Sequence, residues 1–290
     1  LTNIEKDSLI NARSLINNLL IVNKITRRAE MSTQQNKEAL EQYNVKNYRT
    51  PDGYTADIAV FTIIPIQQKP FSPPVMDLQM MLIQRSMQNS EGKPNIEAGK
   101  WAIAGGFIEQ SETGYMAAHR ELEEETGVKD LHIEHFGVYD KPGRDPRGWI
   151  ISNAFLAIVP FHKLAERKAG DDASDVRMFS VKDVLSLELA FDHRQIIQDS
   201  IAVISQKLLQ TTTAKEFLPE EFTYSELQAV LATVTDDPVI MSNPSFIRKM
   251  KQLPFIEAIE GKTVTRTSKR KTQLYRFKEV QINYSIYHMS

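Results

Sequence analysis

The 290-residue chain has no cysteine, two tryptophans, and a formal net charge of only −2. Without cysteine there are no disulfides, no thiolate-bound zinc and no cysteine nucleophile, a composition that suits a reducing cytoplasm. No run of about 18 apolar residues occurs, so a membrane-spanning helix is not expected. The segment Ser14–Val22 is broken by asparagines and lacks a small-residue cleavage pattern, so it is not read as a signal peptide. Near-neutral charge identifies no partner, and the informative charges are local. A 41% hydrophobic share with 25% charged residues allows a sizeable core, and the length suits two domains.

Within that unremarkable composition one stretch carries chemistry. Gly106-Phe107-Ile108-Glu109-Gln110-Ser111-Glu112 is a glycine-containing loop leading into an expected helix over 114–126. Thr113 can cap the helix's first amides, and Gly127 suits a left-handed exit. On that helix Glu121, Glu124 and Glu125 stand at i, i+3 and i+4, so three carboxylates crowd near one face and oppose helix formation by a few tenths of a kcal/mol per pair (~0.2–0.5). A glutamate run on a helix is ordinarily a solvated face, but this one calls for a counter-charge that a hard divalent cation can supply.

The spacing from Gly106 through Glu112, Arg120-Glu121-Leu122, Glu124-Glu125 and Gly127-Val128 resembles the Nudix box at every defining position. The resemblance extends from about Gly53 to Leu209. It implies an α+β protein with a Nudix α/β/α sandwich around a mixed sheet, and metal-assisted cleavage of a nucleoside diphosphate joined to another group. Glu121, Glu124 and Glu125 are then the expected metal ligands and catalytic carboxylates, for magnesium or alternatively manganese. Glu112 and Arg120 become a structural brace, and Gly105 and Gly106 let backbone approach metal and phosphate. The general base stays open between Glu124 or Glu125 and the loop acids Asp171 or Asp172. Ala104 and Met178 stand where relatives commonly carry proline and tryptophan.

Strands are expected at Tyr54–Ile64, ending at Pro65, and at Leu78–Arg85, Leu131–Tyr139 and Ile150–Val159, with a long loop over 86–100. Arg85, at a strand end beside the glycine loop, is a candidate substrate contact. Arg144-Asp145-Pro146-Arg147-Gly148 puts two fork-shaped donors on a turn, which suits a pyrophosphate or neighbouring acids. That segment is similar to one in ADP-ribose pyrophosphatases and in Nudix-related regulators of NAD metabolism, so Arg144 and Arg147 are assigned to substrate. His193, with no nucleophile paired to it, reads as a capping or packing residue before a helix to about Leu209.

Three domains are expected: a helical N-terminal extension over 1–50, the Nudix domain over 51–209, and a winged-helix-like domain over 210–290 that begins with a polar linker, Gln210–Ala214. Residues 1–30 fit an extension upstream of a start at Met31, which the sequence leaves open. In the last domain, helices at Ser225–Thr233 and Phe246–Gln252 precede a hairpin of Ile256–Ile259 and Leu274–Phe277. The order resembles the winged helix of the regulator branch. Arg248, Lys249 and Lys251 on the second helix and Lys262, Arg266, Lys269, Arg270, Lys271 and Arg276 on the wing form a basic surface able to neutralise phosphates. Two functions follow: hydrolysis of ADP-ribose or a related compound, and ADP-ribose-sensing regulation through operator DNA, for which the family implies a homodimer.

Overall fold

The computed structural model describes residues 33–47, 49–67, 69–89, 91–127, 129, 132–161 and 173–278. Residues 1–32 of the expected helical extension and the candidate bases Asp171 and Asp172 lie outside these, as do the side chains of Glu125 and of residue 174. The chain divides into a unit of Leu1–Thr50 and a unit of Pro51–Ser290. In the first, residues 33–42 are helical and exposed.

The second unit is built on β1 (Gly53–Gln67). This strand pairs antiparallel with β2 (Val75–Arg85) and with the short β4 (Ala104–Phe107), and parallel with β6 (Ile150–Ile158). β3 (Trp101–Ala102) and β7 (Ala173–Ser180) flank β2, and β5 (Ile133–Tyr139) forms the other edge, so the sheet is seven-stranded and mixed. Strand β1 runs through Pro65 rather than stopping there, because the proline falls at a register shift where a missing ladder amide is tolerated.

Side-chain alternation along β1 sorts the two faces. Ala56, Ile58 and Val60 pack with Ala117, Ala118 and Leu122 of α1 (Gly114–Thr126). Ala59, Phe61 and Ile63 pack with Ile196, Ile197 and Ile204 of α2 (His193–Gln210). One helix therefore covers each face, as the sandwich requires. Thr113 accepts a hydrogen bond from the Met116 amide, and Gly127 at φ 72° closes α1 onto the Glu123 carbonyl, so both ends of this helix are capped as the sequence implies.

The stretch read as a polar linker is ordered into a 3-10 helix, Thr212–Phe217, with Ala214 buried. Beyond it lie β8 (Phe222–Thr223), α3 (Tyr224–Leu231), α4 (Pro238–Met241), α5 (Asn243–Met250), β9 (Ile256–Val264) and β10 (Thr272–Phe277). The sheet order is β8-β10-β9, and Thr223 and Glu226 form a reciprocal capping box on α3. The same apolar cluster that holds Leu78 and Met80 of β2 and Leu208 of α2 continues into Ala214, Phe222, Leu227, Phe246, Met250 and Tyr275.

Candidate active site and nucleic-acid interface

Arg120 is the centre of the carboxylate side of the site. Its guanidinium lies 2.6 Å from Glu112, 2.7 Å from Glu121 and 3.2 Å from Glu124, and it also donates to the Phe107 carbonyl at 3.0 Å. One cation thus holds the like charges that would otherwise repel along α1. Hydrogen bonding to Arg120 keeps the Glu112 carboxyl below its ordinary range, whereas burial raises that of Glu121 despite the same arginine. Glu121 and Glu124 each give Arg120 one oxygen; their second oxygens take no hydrogen bond among the described residues.

Two glycines separate this cluster from a second one. A Cβ on Gly106 would lie 2.3 Å from a Glu121 oxygen, and a Cβ on Gly105, whose φ is 158°, would meet the Ala56 carbonyl at 2.4 Å. The absence of a side chain at Gly106 lets the Glu121 carboxylate lie directly on the β4 backbone, and its absence at Gly105 lets that backbone lie close against Ala56 and Asp57 of β1. An oxygen-only donor set pressed against a bare backbone suits a hard divalent cation.

On the α2 side of β4 lies a cleft lined by Asp57, Arg85, Gly105, Gly106, Phe107, Arg144, Asp145, Arg147, Phe191 and His193. Arg147 is held by Asp145 at 2.6 Å, and its guanidinium lies 4.9 Å from the Phe107 ring and 5.0 Å from the Phe191 ring. Arg85 lies on Phe191 as well, at 5.1 Å, and is anchored by the Ile96 carbonyl and Asn95 of the long loop. Phe191 adopts a left-handed φ of 48°, a conformation that costs a non-glycine residue about 1 kcal/mol or more. Arg144 is buried and gives its fork to Asp192 at 2.6 and 2.8 Å, with Asp57 at 4.0 Å.

Asp57, Phe107, Phe191 and Asp192 complete this cluster and are absent from the sequence-based site. Asp57 had a signal: it is the one charged residue within the apolar run 54–64. Burial pushes its carboxyl up to about 6, against Ser152 and Arg144, which lower it. His193 is no cap; its Nδ1 accepts from the Ile103 amide at 3.1 Å, which leaves the proton on Nε2, and burial pushes its pKa down to about 3.

Because the folded state binds the Asp57 proton more tightly than the unfolded chain does, its stabilisation is full below about pH 4 and is lost as pH rises through about 6. Asp57→Asn is therefore expected to raise stability relative to wild type more at pH 7.5 than at pH 4, by at most about 3 kcal/mol. Urea unfolding of both proteins at the two pH values measures this; equal differences would refute the assignment.

In the C-terminal module, Arg266 is drawn into a bidentate pair with Glu226 at 2.7 Å and bonds the Glu221 carbonyl, so it ties the wing to α3. Lys262 pairs with Glu221, and Arg276 pairs with Glu257. Arg248, Lys249, Lys251, Lys269, Arg270 and Lys271 are exposed and have no ion-pair partner among the described residues.

Residues 73–200 match the NUDIX domain, and residues 214–277 match the NrtR DNA-binding winged helix domain. The chain is similar to an ADPR responsive transcriptional repressor, NtrR, of Acinetobacter baylyi, with 29% identity over 82% of this chain and 86% of that protein. It is also similar to an ADP-ribose pyrophosphatase of Methanocaldococcus jannaschii, with 41% identity over 42% of this chain and 66% of that one. A mutT/nudix family protein of Listeria innocua, solved as a crystal structure, is 50% identical over 56% of this chain and all of its own length, with a TM-score of 0.50. The glycine-cradled Glu121, the sandwich around it and these likenesses agree: the chain belongs to the Nudix family and carries a winged helix of the NrtR type behind its Nudix domain.

Proposed function

We propose that the protein hydrolyses the pyrophosphate of ADP-ribose, or of a related nucleoside diphosphate derivative, in its Nudix half. The observation that carries this reading is the pairing of a pre-braced carboxylate set with an arginine-lined cleft across the bare backbone of Gly105 and Gly106. Glu121 and Glu124 would hold magnesium, or manganese in its place, with Glu125 as the third ligand of the box. Such an ion supplies neutralisation of phosphate charge and a more acidic attacking water. Arg120 and Glu112 keep the two described ligands aimed. Arg85 and Arg147 carry donors for the pyrophosphate oxygens, while Arg144 fixes the wall of the cleft through Asp192 and Asp57. Glu124, the more exposed of the two described carboxylates, also has room to take a proton from water. Release of AMP from ADP-ribose in the presence of magnesium tests the proposal, and no AMP above a protein-free control refutes it.

The second reading, an ADP-ribose-responsive regulator that binds operator DNA, is favoured by six cations, on α5, at its C-cap Lys251 and at the wing tip, that have no ion-pair partner among the described residues. It is compatible with hydrolysis, since one protein can consume its own effector. Reading paired half-sites would require a homodimer, and both roles fit the cytoplasm. No helix among the described residues is long and apolar enough to cross a membrane.

A further inference from the structure

Two arginines of the arginine-lined cleft meet one ring. The guanidinium carbons of Arg85 and Arg147 lie 5.1 and 5.0 Å from the centre of the Phe191 ring, although one residue ends β2 and the other belongs to the turn before β6. Other groups hold each cation by an edge. Asp145 accepts from Nε and Nη2 of Arg147 at 3.0 and 2.6 Å, while the Ile96 carbonyl and Asn95 accept from Nε and Nη2 of Arg85, both at 2.9 Å. Nη1 of Arg147 takes no hydrogen bond among the described residues. A hydrogen-bonded edge still lets a guanidinium plane swing, and an aromatic neighbour within about 6 Å restrains that motion.

Phe191 occupies its place under strain. Of the described non-glycine residues with a left-handed φ, Phe71, Glu97 and Phe191, only Phe191 lines the cleft. It is only partly buried, so core packing is a weak reason for a phenylalanine in that conformation. Such a backbone persists where its surroundings over-determine it. Before Phe191 the Ala190 amide donates to the Trp101 carbonyl at 2.8 Å; after it the Arg144 fork holds Asp192, and His193 accepts from the Ile103 amide. The anchored neighbours keep the strained residue at the point where two cations share its ring.

We propose that Phe191 is a positioning residue for a diphosphate ligand: its ring aligns the Arg85 and Arg147 guanidiniums, so that their donors reach the two phosphates together. The role rests on the reading that a nucleoside diphosphate occupies this cleft. It does not require that the ligand be cleaved.

The probe is α,β-methylene-ADP-ribose, whose carbon bridge resists hydrolysis, titrated by calorimetry into the full-length protein with magnesium. Phe191→Leu is expected to weaken binding about tenfold, and Phe191→Tyr to stay within about twofold of wild type. Phe191→Gly, for which a left-handed φ carries no strain, is expected to fold and to bind as weakly as Phe191→Leu. In an Arg147→Lys protein, which keeps the charge but not the planar fork, the further loss on Phe191→Leu should fall below about threefold. Wild-type affinity in Phe191→Leu or in Phe191→Gly overturns the proposal. So does a full tenfold loss in the Arg147→Lys background, which would mean that the ring acts on the ligand itself. A wild-type protein that binds no analogue sinks both the proposal and the reading beneath it, whereas one that binds the analogue yet releases no AMP from ADP-ribose sinks hydrolysis alone.

Discussion

Replacing Glu124 by glutamine is expected to lower magnesium-dependent release of AMP from ADP-ribose by about 10²-fold or more, with stability within about 0.5 kcal/mol of wild type. The two halves of that expectation have different origins. Glu124 is more than half exposed and bonds Arg120 once, at 3.2 Å, an i,i+4 pair of the sort that contributes about 0.3–0.5 kcal/mol. The amide keeps the shape but removes the negative oxygen that a divalent cation or an attacking water needs. Product release followed by chromatography, together with urea unfolding of both proteins, separates the two effects. Undiminished turnover in a folded variant would remove Glu124 from the machinery.

Reversal of the wing tip by Lys269→Glu, Arg270→Glu and Lys271→Glu is expected to weaken duplex DNA binding at low salt by orders of magnitude. It should also flatten the log–log dependence on salt by roughly 0.9 for each phosphate that is no longer neutralised. These three side chains have no ion-pair partner among the described residues, whereas reversal of Arg266 would break its fork on Glu226 and loosen the wing itself. Fluorescence anisotropy of a labelled duplex at several salt concentrations measures both quantities. Affinity and slope unchanged from wild type would place the DNA-binding surface elsewhere.

What the sequence made legible was local. The helix Gly114–Thr126 announced itself through a cap three residues from its bonded amide and a glycine at its exit, and its carboxylates lie within one turn. Arg120 and Glu112 are eight residues apart and equally readable. The second cluster is not local: Arg144 meets Asp192 across 48 positions, and Arg266 meets Glu226 across 40. No period or motif encodes those meetings. The fold shows the same division. β8 is two residues long and exists only because β10, far along the chain, supplies its ladder. α4 is a single turn set by Asp237 and Pro238, too short to leave a periodic trace. Pro65 misled because a proline ordinarily ends a strand, and only the register shift at that point shows why this strand continues.

The apolar cluster that runs from Leu78 and Met80 through Ala214 to Phe246 and Tyr275 is shared between the Nudix sheet and the winged helix. Cutting the chain near Thr211 would strip water-free cover from Leu208 on one side and Phe222 on the other. The two halves should therefore melt in one transition rather than two. Each half thus serves as part of the other's interior, and the expected single transition follows from that shared core.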